Sequence, residues 1–285
     1  MKKKRLFVII AITVFFILNI EPLTSGMIEG MHTCINYVIP SLFIFIILSN
    51  IVTSLLLDEE TVSLSPKLTA FFLGNLCGFP VGATVCDRFC KNGYLSAKEA
   101  SAIIPFCNNA SPAFILGVVG VSLLHNRTLG WILLIAQILS SLLPLVLIKI
   151  EKKEPQIFNA NATQTNDVLF DAIESAISQI LRVCAIICIF SAICAFLEEF
   201  NPFPLSLILE ITNGAKFCAT RYQNHPLQSF VLIGFLCGFS GLCVHAQIIS
   251  LVKHFKVDIK KLFISKIIQG LICAIFCAIG YILFF

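Results

Sequence analysis

Two stretches of the chain, residues 39–57 and 129–148, contain no Asp, Glu, Lys or Arg at all. In helical form each is about as long as the ~30 Å hydrocarbon core of a bilayer is thick. Several such runs cannot all be hidden in one water-soluble core. The composition agrees: the 285 residues are 58% hydrophobic and 13% charged, with a mean hydropathy of +0.93. A soluble domain carries about 25% charged residues, so too few polar side chains remain to cover a water-facing surface. A soluble enzyme and a disordered chain are both excluded, and the chain reads as an all-α polytopic membrane protein.

The formal charge of +4 is small and dispersed, so nucleic acid is not an expected partner. Most of the 13 cysteines lie in apolar runs. Cys86/Cys90, Cys184/Cys188 and Cys273/Cys277 are spaced by one helical turn, as small hydrophobes would be. No Cys-x-x-Cys or Cys/His pairing suggests a metal site, and no cofactor is expected.

Along the chain, Lys2, Lys3, Lys4 and Arg5 precede an apolar run over residues 6–20 that lacks a small-x-small cleavage pattern. It is read as an uncleaved anchor, residues 1–26, with a cytoplasmic N-terminus. A second span follows at residues 37–57. Residues 68–90 are apolar but interrupted by Cys77-Gly78-Phe79-Pro80-Val81-Gly82-Ala83. Glycines and a proline at the middle permit a tight turn and each arm is too short to cross, so a re-entrant hairpin is expected. It places Arg88, Lys91 and Lys98 on the cytoplasmic side, with Asp87 and Arg88 as a local ion pair. Ser96 and Glu99 form a capping-box pattern. The helix from Ala97 is broken at Cys107-Asn108-Asn109-Ala110-Ser111-Pro112, where Ser111 would cap a new half-helix and two amides would face a cavity.

A span at residues 129–148 completes the first half, 27–148. Residues 149–170 form a polar linker, and 171–285 form the second half, with spans at 177–197 and 258–285 around a glycine-interrupted run at 230–252. Residues 200–228 give no clear assignment. The two interrupted runs match: Gly74-Asn75-Leu76-Cys77-Gly78-Phe79 against Gly234-Phe235-Leu236-Cys237-Gly238-Phe239, each in a broken, hairpin-like segment ahead of a capped helix. Two inverted-repeat halves with re-entrant or broken helices are therefore expected, the organisation of gradient-driven transporters with a midplane site.

The motifs Gly78-Phe79-Pro80-Val81-Gly82-Ala83 and Phe106-Cys107-Asn108-Asn109-Ala110-Ser111-Pro112, with Pro40-Ser41-Leu42-Phe43 upstream, resemble the nucleoside-recognition or "gate" domain. More narrowly they resemble the YlbJ-type sporulation integral membrane proteins. The resemblance covers residue 27 to the end, and implies kinship with concentrative nucleoside transporters and movement of dipicolinic acid across a forespore membrane. In the second half Ser240-Gly241-Leu242 stands where the first has Pro80-Val81-Gly82.

Half-helices starting near Pro80 and Pro112 would turn positive N-terminal ends toward an anionic substrate. The expected substrate-binding residues are thus Gly78, Pro80, Gly82, Asn108, Asn109 and Ser111 in the first half and Gly238, Ser240, His245 and Gln247 in the second. His245 is also a candidate proton carrier, and Arg182 a candidate anion partner or a snorkelling side chain. Close helix packing by the glycines and hydrogen-bonded glue from the asparagines is the structural alternative. No P-loop, H-E-x-x-H or G-x-S-x-G occurs, so an enzyme is not expected. The expected partners are the bilayer, a small anionic or nucleoside-like substrate, a coupling ion, other sporulation membrane proteins and a second copy of the chain. The expected location is the bacterial cell membrane or forespore membrane. A non-transporting scaffold is the competing function.

Overall fold

The computed structural model describes residues 6, 10, 13–58, 65–149, 168–200 and 205–285. Among these the regular structure is entirely helical, and five stretches are long and apolar enough to cross a membrane: Ile20–Leu57, Arg127–Leu147, Val168–Glu198, Pro226–Leu251 and Ile259–Phe284. The outward face is greasy, with Leu147 81% and Leu283 73% exposed, as lipid contact requires. The protein is an all-α, multi-pass membrane protein. The basic residues 2–5 and most of the polar linker lie outside the described residues.

The second span starts earlier than residue 37. Helix α1 (Ile20–Thr33) passes through a π-helical turn (Cys34–Val38) into α2 (Ile39–Asp58) without a break. The turn sits just before Pro40, which has no N–H and crowds the preceding turn. Widening it, with Ile39 N–H donating to Cys34 O, lets the helix continue. Residues 21–36 are helical because they pack on α7 (Val168–Phe200). Gly26 and Gly30 form a G-x-x-x-G face. A Cβ at Gly26 would come 2.5 Å from Ser191 O, and one at Gly30 2.8 Å from Cys188 Cα. Farther along, Asn50 Nδ2 donates to Ala172 O, so α1–α2 and α7 run antiparallel.

The first interrupted run folds back on itself as a helical hairpin. Its arms α3 (Pro66–Cys77) and α4 (Val81–Lys91) are 12 and 11 residues long, roughly 18 and 16 Å at the helical rise. They pack on each other across a turn in which Gly78 has φ 83° and the Phe79–Pro80 peptide is cis. Helix α5 (Ala97–Cys107) rises beside them from the predicted Ser96/Glu99 capping box. After the break a π-wound helix (Ala113–Leu123) continues upward, and α6 (Arg127–Leu147) returns, capped by Asn126.

The second interrupted run is different, which corrects the expectation of two hairpin-like segments. Its helices α10 (Pro226–Phe239) and α11 (Gly241–Leu251) begin 160 residues after α3 and α4, yet they do not fold back on each other. Helix α10 packs antiparallel to α12 (Ile259–Phe284), while α11 packs on α7 and α4. Only Ser240, at φ 75°, separates them. The two positive-φ residues Ser240 and Gly241 swivel the axis, whereas the turn at 78–80 reverses it. Docking of the first hairpin on α5 also needs Gly82, against which Cys107 is pressed, and the matching position here is Leu242.

The unassigned stretch contains α8 (Leu205–Leu209) and α9 (Ile211–Arg221), the latter capped by Glu210. The loops after α4 and α11 meet at one end. There Asp87 accepts from Lys253 N at 2.9 Å and His254 N at 2.7 Å, Lys67 Nζ donates to Ile148 O at 2.9 Å, and Asp258 N donates to Ser101 Oγ at 3.2 Å. The opposite end holds the start of α10, where the Phe230 and Tyr281 rings lie 6.2 Å apart. Accordingly α3 and α10 start at opposite ends of the molecule, whereas α4 and α11 finish at the same one.

Candidate functional site

A helix break leaves carbonyls without amides and amides without carbonyls, and in a membrane these must be satisfied by the protein itself. Asn108 does so twice: its Nδ2 donates to Ile104 O at 2.7 Å, and its Oδ1 accepts from Ala83 N at 2.9 Å. One side chain thus closes the end of α5 and the start of α4. Gln137 on α6 brackets the next peptide, donating to Ala110 O at 2.9 Å and accepting from Ala110 N at 3.3 Å. Ser111 Oγ accepts from Phe114 N at 3.2 Å, the cap read from the sequence.

Asn109 joins the break to α12. Its Nδ2 donates to Phe106 O at 2.9 Å and Asn75 Oδ1 at 3.2 Å, while its Oδ1 accepts from Gln269 Nε2 at 2.6 Å. Lys266 stands in the same knot, its Nζ donating to Asn108 O at 2.5 Å, Gln269 Oε1 at 3.1 Å and Asn109 Oδ1 at 3.4 Å. Asn108, Asn109, Gln137, Lys266 and Gln269 are all fully buried. Sequence reasoning missed Gln137, Lys266 and Gln269. The signal was present, since a lysine and a glutamine inside an apolar span are costly and demand a partner.

Beside this knot lies a cavity of about 700 Å³. Its inner wall is Phe79 at the hairpin tip, Ser111 and Phe114 at the break, and Val244 and Gln247 of α11; Val38 and Pro40 of the α1–α2 rod and Val183 and Ile187 of α7 complete it. At the outer end stand Glu29, His32, Glu210, Thr212, Asn213 and Lys216. Two helix N-termini open onto it, that of the π-wound helix at Ser111–Phe114 and that of α9 at Glu210–Asn213. The Glu210 carboxylate accepts from Asn213 N at 2.8 Å. Burial pushes its carboxyl above the ordinary range, against the opposing pull of the Asn213 and Thr212 amides.

Of the residues expected to bind substrate, Ser111 and Gln247 line this cavity. Asn108 and Asn109 lie behind its wall with their hydrogen bonds made. Gly78 and Gly82 are pressed against Ser111 and Cys107, Gly238 against Gly270, and Pro80 closes the turn. Ser240 Oγ donates to Cys237 O at 3.4 Å. His245 Nδ1 donates to Gly241 O at 2.6 Å, its ring centroid 5.1 Å from that of Phe239, and its buried Nε2 has no partner among the described residues. Arg182 reaches Ser250 O at 3.2 Å. The expected Asp87–Arg88 pair does not form, because neighbours on a helix point about 100° apart. Asp87 pairs with His254 Nδ1 at 2.7 Å, and Arg88 donates to Asn50 O at 3.0 Å. Among the described residues no three His, Cys, Asp or Glu side chains cluster as metal ligands would.

Over 87% of its length the chain is 26% identical to "Sporulation integral membrane protein YlbJ" of Bacillus subtilis (strain 168), covering 74% of that protein. No family model matches the chain, and no solved structure matches it. The similarity runs over most of the chain, and the five candidate spans make it a multi-pass membrane protein.

Proposed function

We propose that the protein carries a small polar or anionic metabolite across a membrane during sporulation, with dipicolinic acid as the substrate. The observation that carries this reading is the cavity of about 700 Å³ beside the helix break, lined by Ser111 and Gln247 with the N-terminus of the π-wound helix at its wall. Amide-rich helix starts in a low-dielectric setting favour carboxylates, and the volume fits a small ligand. Two halves support the same reading: α3 with α10 and α4 with α11 start at one offset, and Asn109 and Gln269, also 160 residues apart, are bonded to each other. Repeats meeting at a midplane site are the architecture of secondary transporters.

The test is uptake of labelled dipicolinate into proteoliposomes holding the purified protein, with uridine in parallel and Ser111→Val/Gln247→Leu as the cavity control. Dipicolinate uptake that the double variant lowers at least tenfold without loss of folded protein is the expected result. Uridine uptake would reassign the substrate to a nucleoside. Movement of neither would favour a non-transporting scaffold.

A further inference from the structure

The break in the first half leaves the carbonyl of Asn108 without its helical partner, because the residue four positions on is Pro112, which has no N–H. Where membrane transporters break a helix, such unwound carbonyls commonly hold a free coupling cation. Here the Lys266 ammonium stands at that carbonyl. Its three N–H donors meet three oxygens, Asn108 O, Gln269 Oε1 and Asn109 Oδ1, so its donor count is closed. All three acceptors are neutral, and among the described residues no carboxylate joins the cluster. Lys266 is 0% exposed. An apolar side chain of similar size would avoid the desolvation of an ammonium, but it would take a donor away from three buried oxygens, which is the larger cost if the cluster is built around a cation.

We propose that this oxygen cluster is a monovalent-cation site whose occupant is the tethered ammonium of Lys266, and that the protein therefore works without free sodium. The sodium independence rests on the transport reading above, whereas the site itself does not. Lys266 takes the place of an ion, holding α12 to the broken helix through charge-directed contacts to amide oxygens.

The experiment is thermal unfolding of the purified full-length protein in detergent, in sodium, n-propylammonium or choline chloride at equal ionic strength. n-Propylammonium supplies the atoms that Lys266→Ala removes. Wild type is expected to melt at one temperature in all three salts. Lys266→Ala should melt lower in choline and recover at least half of the loss in n-propylammonium or sodium. Lys266→Met and Lys266→Gln fill the space without the charge and should stay low in every salt. Should Lys266→Ala fail to fold, these two variants and the wild type decide. A wild type that sodium stabilises over choline, a folded Lys266→Ala insensitive to all salts, or a Lys266→Met or Lys266→Gln as stable as wild type would overturn the proposal. In parallel, dipicolinate uptake should be the same with a sodium or a choline gradient, and a two-fold or greater dependence on sodium would also overturn it. If no dipicolinate enters at all, the transport reading fails while the melting comparison still decides the cation site.

Discussion

Gly82→Ala tests whether the first hairpin docks on α5 by backbone contact. A Cβ built on Gly82 would lie 2.6 Å from the carbonyl carbon of Cys107 and 3.1 Å from its Cβ. Carbon atoms rest at about 3.5–4.0 Å, so α4 must back away from α5 by roughly 1 Å. The obstacle is backbone, which cannot rotate aside as a side-chain tip does. Overpacking of this kind costs about 1–3 kcal/mol. The same movement stretches the buried bond from Ala83 N to Asn108 Oδ1, now 2.9 Å, and an unsatisfied buried group adds about 1–3 kcal/mol. The sum, about 2–6 kcal/mol, corresponds to a melting temperature lowered by roughly 5–15 °C in a chain of this size. Thermal unfolding of the purified protein in detergent measures it. The control is Gly117→Ala, where an added Cβ meets nothing within 4 Å and a gain of up to about 1 kcal/mol is expected. If Gly82→Ala melted with the control, the close approach at the hairpin tip would not be real and the reasoning would fail.

Gln137→Leu strips both partners from the buried Ala110 peptide and should cost about 2–4 kcal/mol, read by the same melting assay; an unchanged melt would mean that the break finds other partners. For Glu210, whose folded carboxyl is raised by burial, the unfolded chain gives up its proton first. Its contribution is therefore full below the ordinary carboxylate value and declines as pH rises above it. Glu210→Gln should accordingly gain on wild type between pH 4 and pH 8, and a constant difference in melting temperature across that range would contradict the assignment. The end bearing Lys67, Lys91, Lys98, Lys253 and Lys256 should be cytoplasmic by the positive-inside rule. Reporter fusions at Asn92 and at His125 should then read as inside and outside respectively, and the reverse pattern would refute it.

Much of the fold was legible because the bilayer imposes it. Long uncharged runs have to be helices, and Ser96/Glu99 and Ser111 marked helix starts that the structure shows. The first hairpin was legible because Gly78 and Gly82 have an unambiguous steric meaning at a turn and a close crossing. The helical nature of residues 21–36 was harder to see, since Glu21, Glu29 and His32 dilute the apolar signal; packing of Gly26 and Gly30 on a helix more than 150 residues away decides it.

By itself, then, the sequence determined the solvent, the helices and the positions of the breaks, all of which follow from local chemistry: charge, proline, glycine and capping side chains act within a turn or two of themselves. The tertiary structure alone decided that two matching segments take different paths. The path depends on what can dock against residue 82 or residue 242, and for Gly82 that is the Cys107 carbonyl on a neighbouring helix. It also decided that Asn108 and Asn109 form a knot with Lys266 and Gln269, leaving Ser111 and Gln247 to line the cavity beside it. Partners some 160 positions apart leave no periodic trace along the chain, because a hydrogen bond between helices depends on where the helices cross and on which face each one turns.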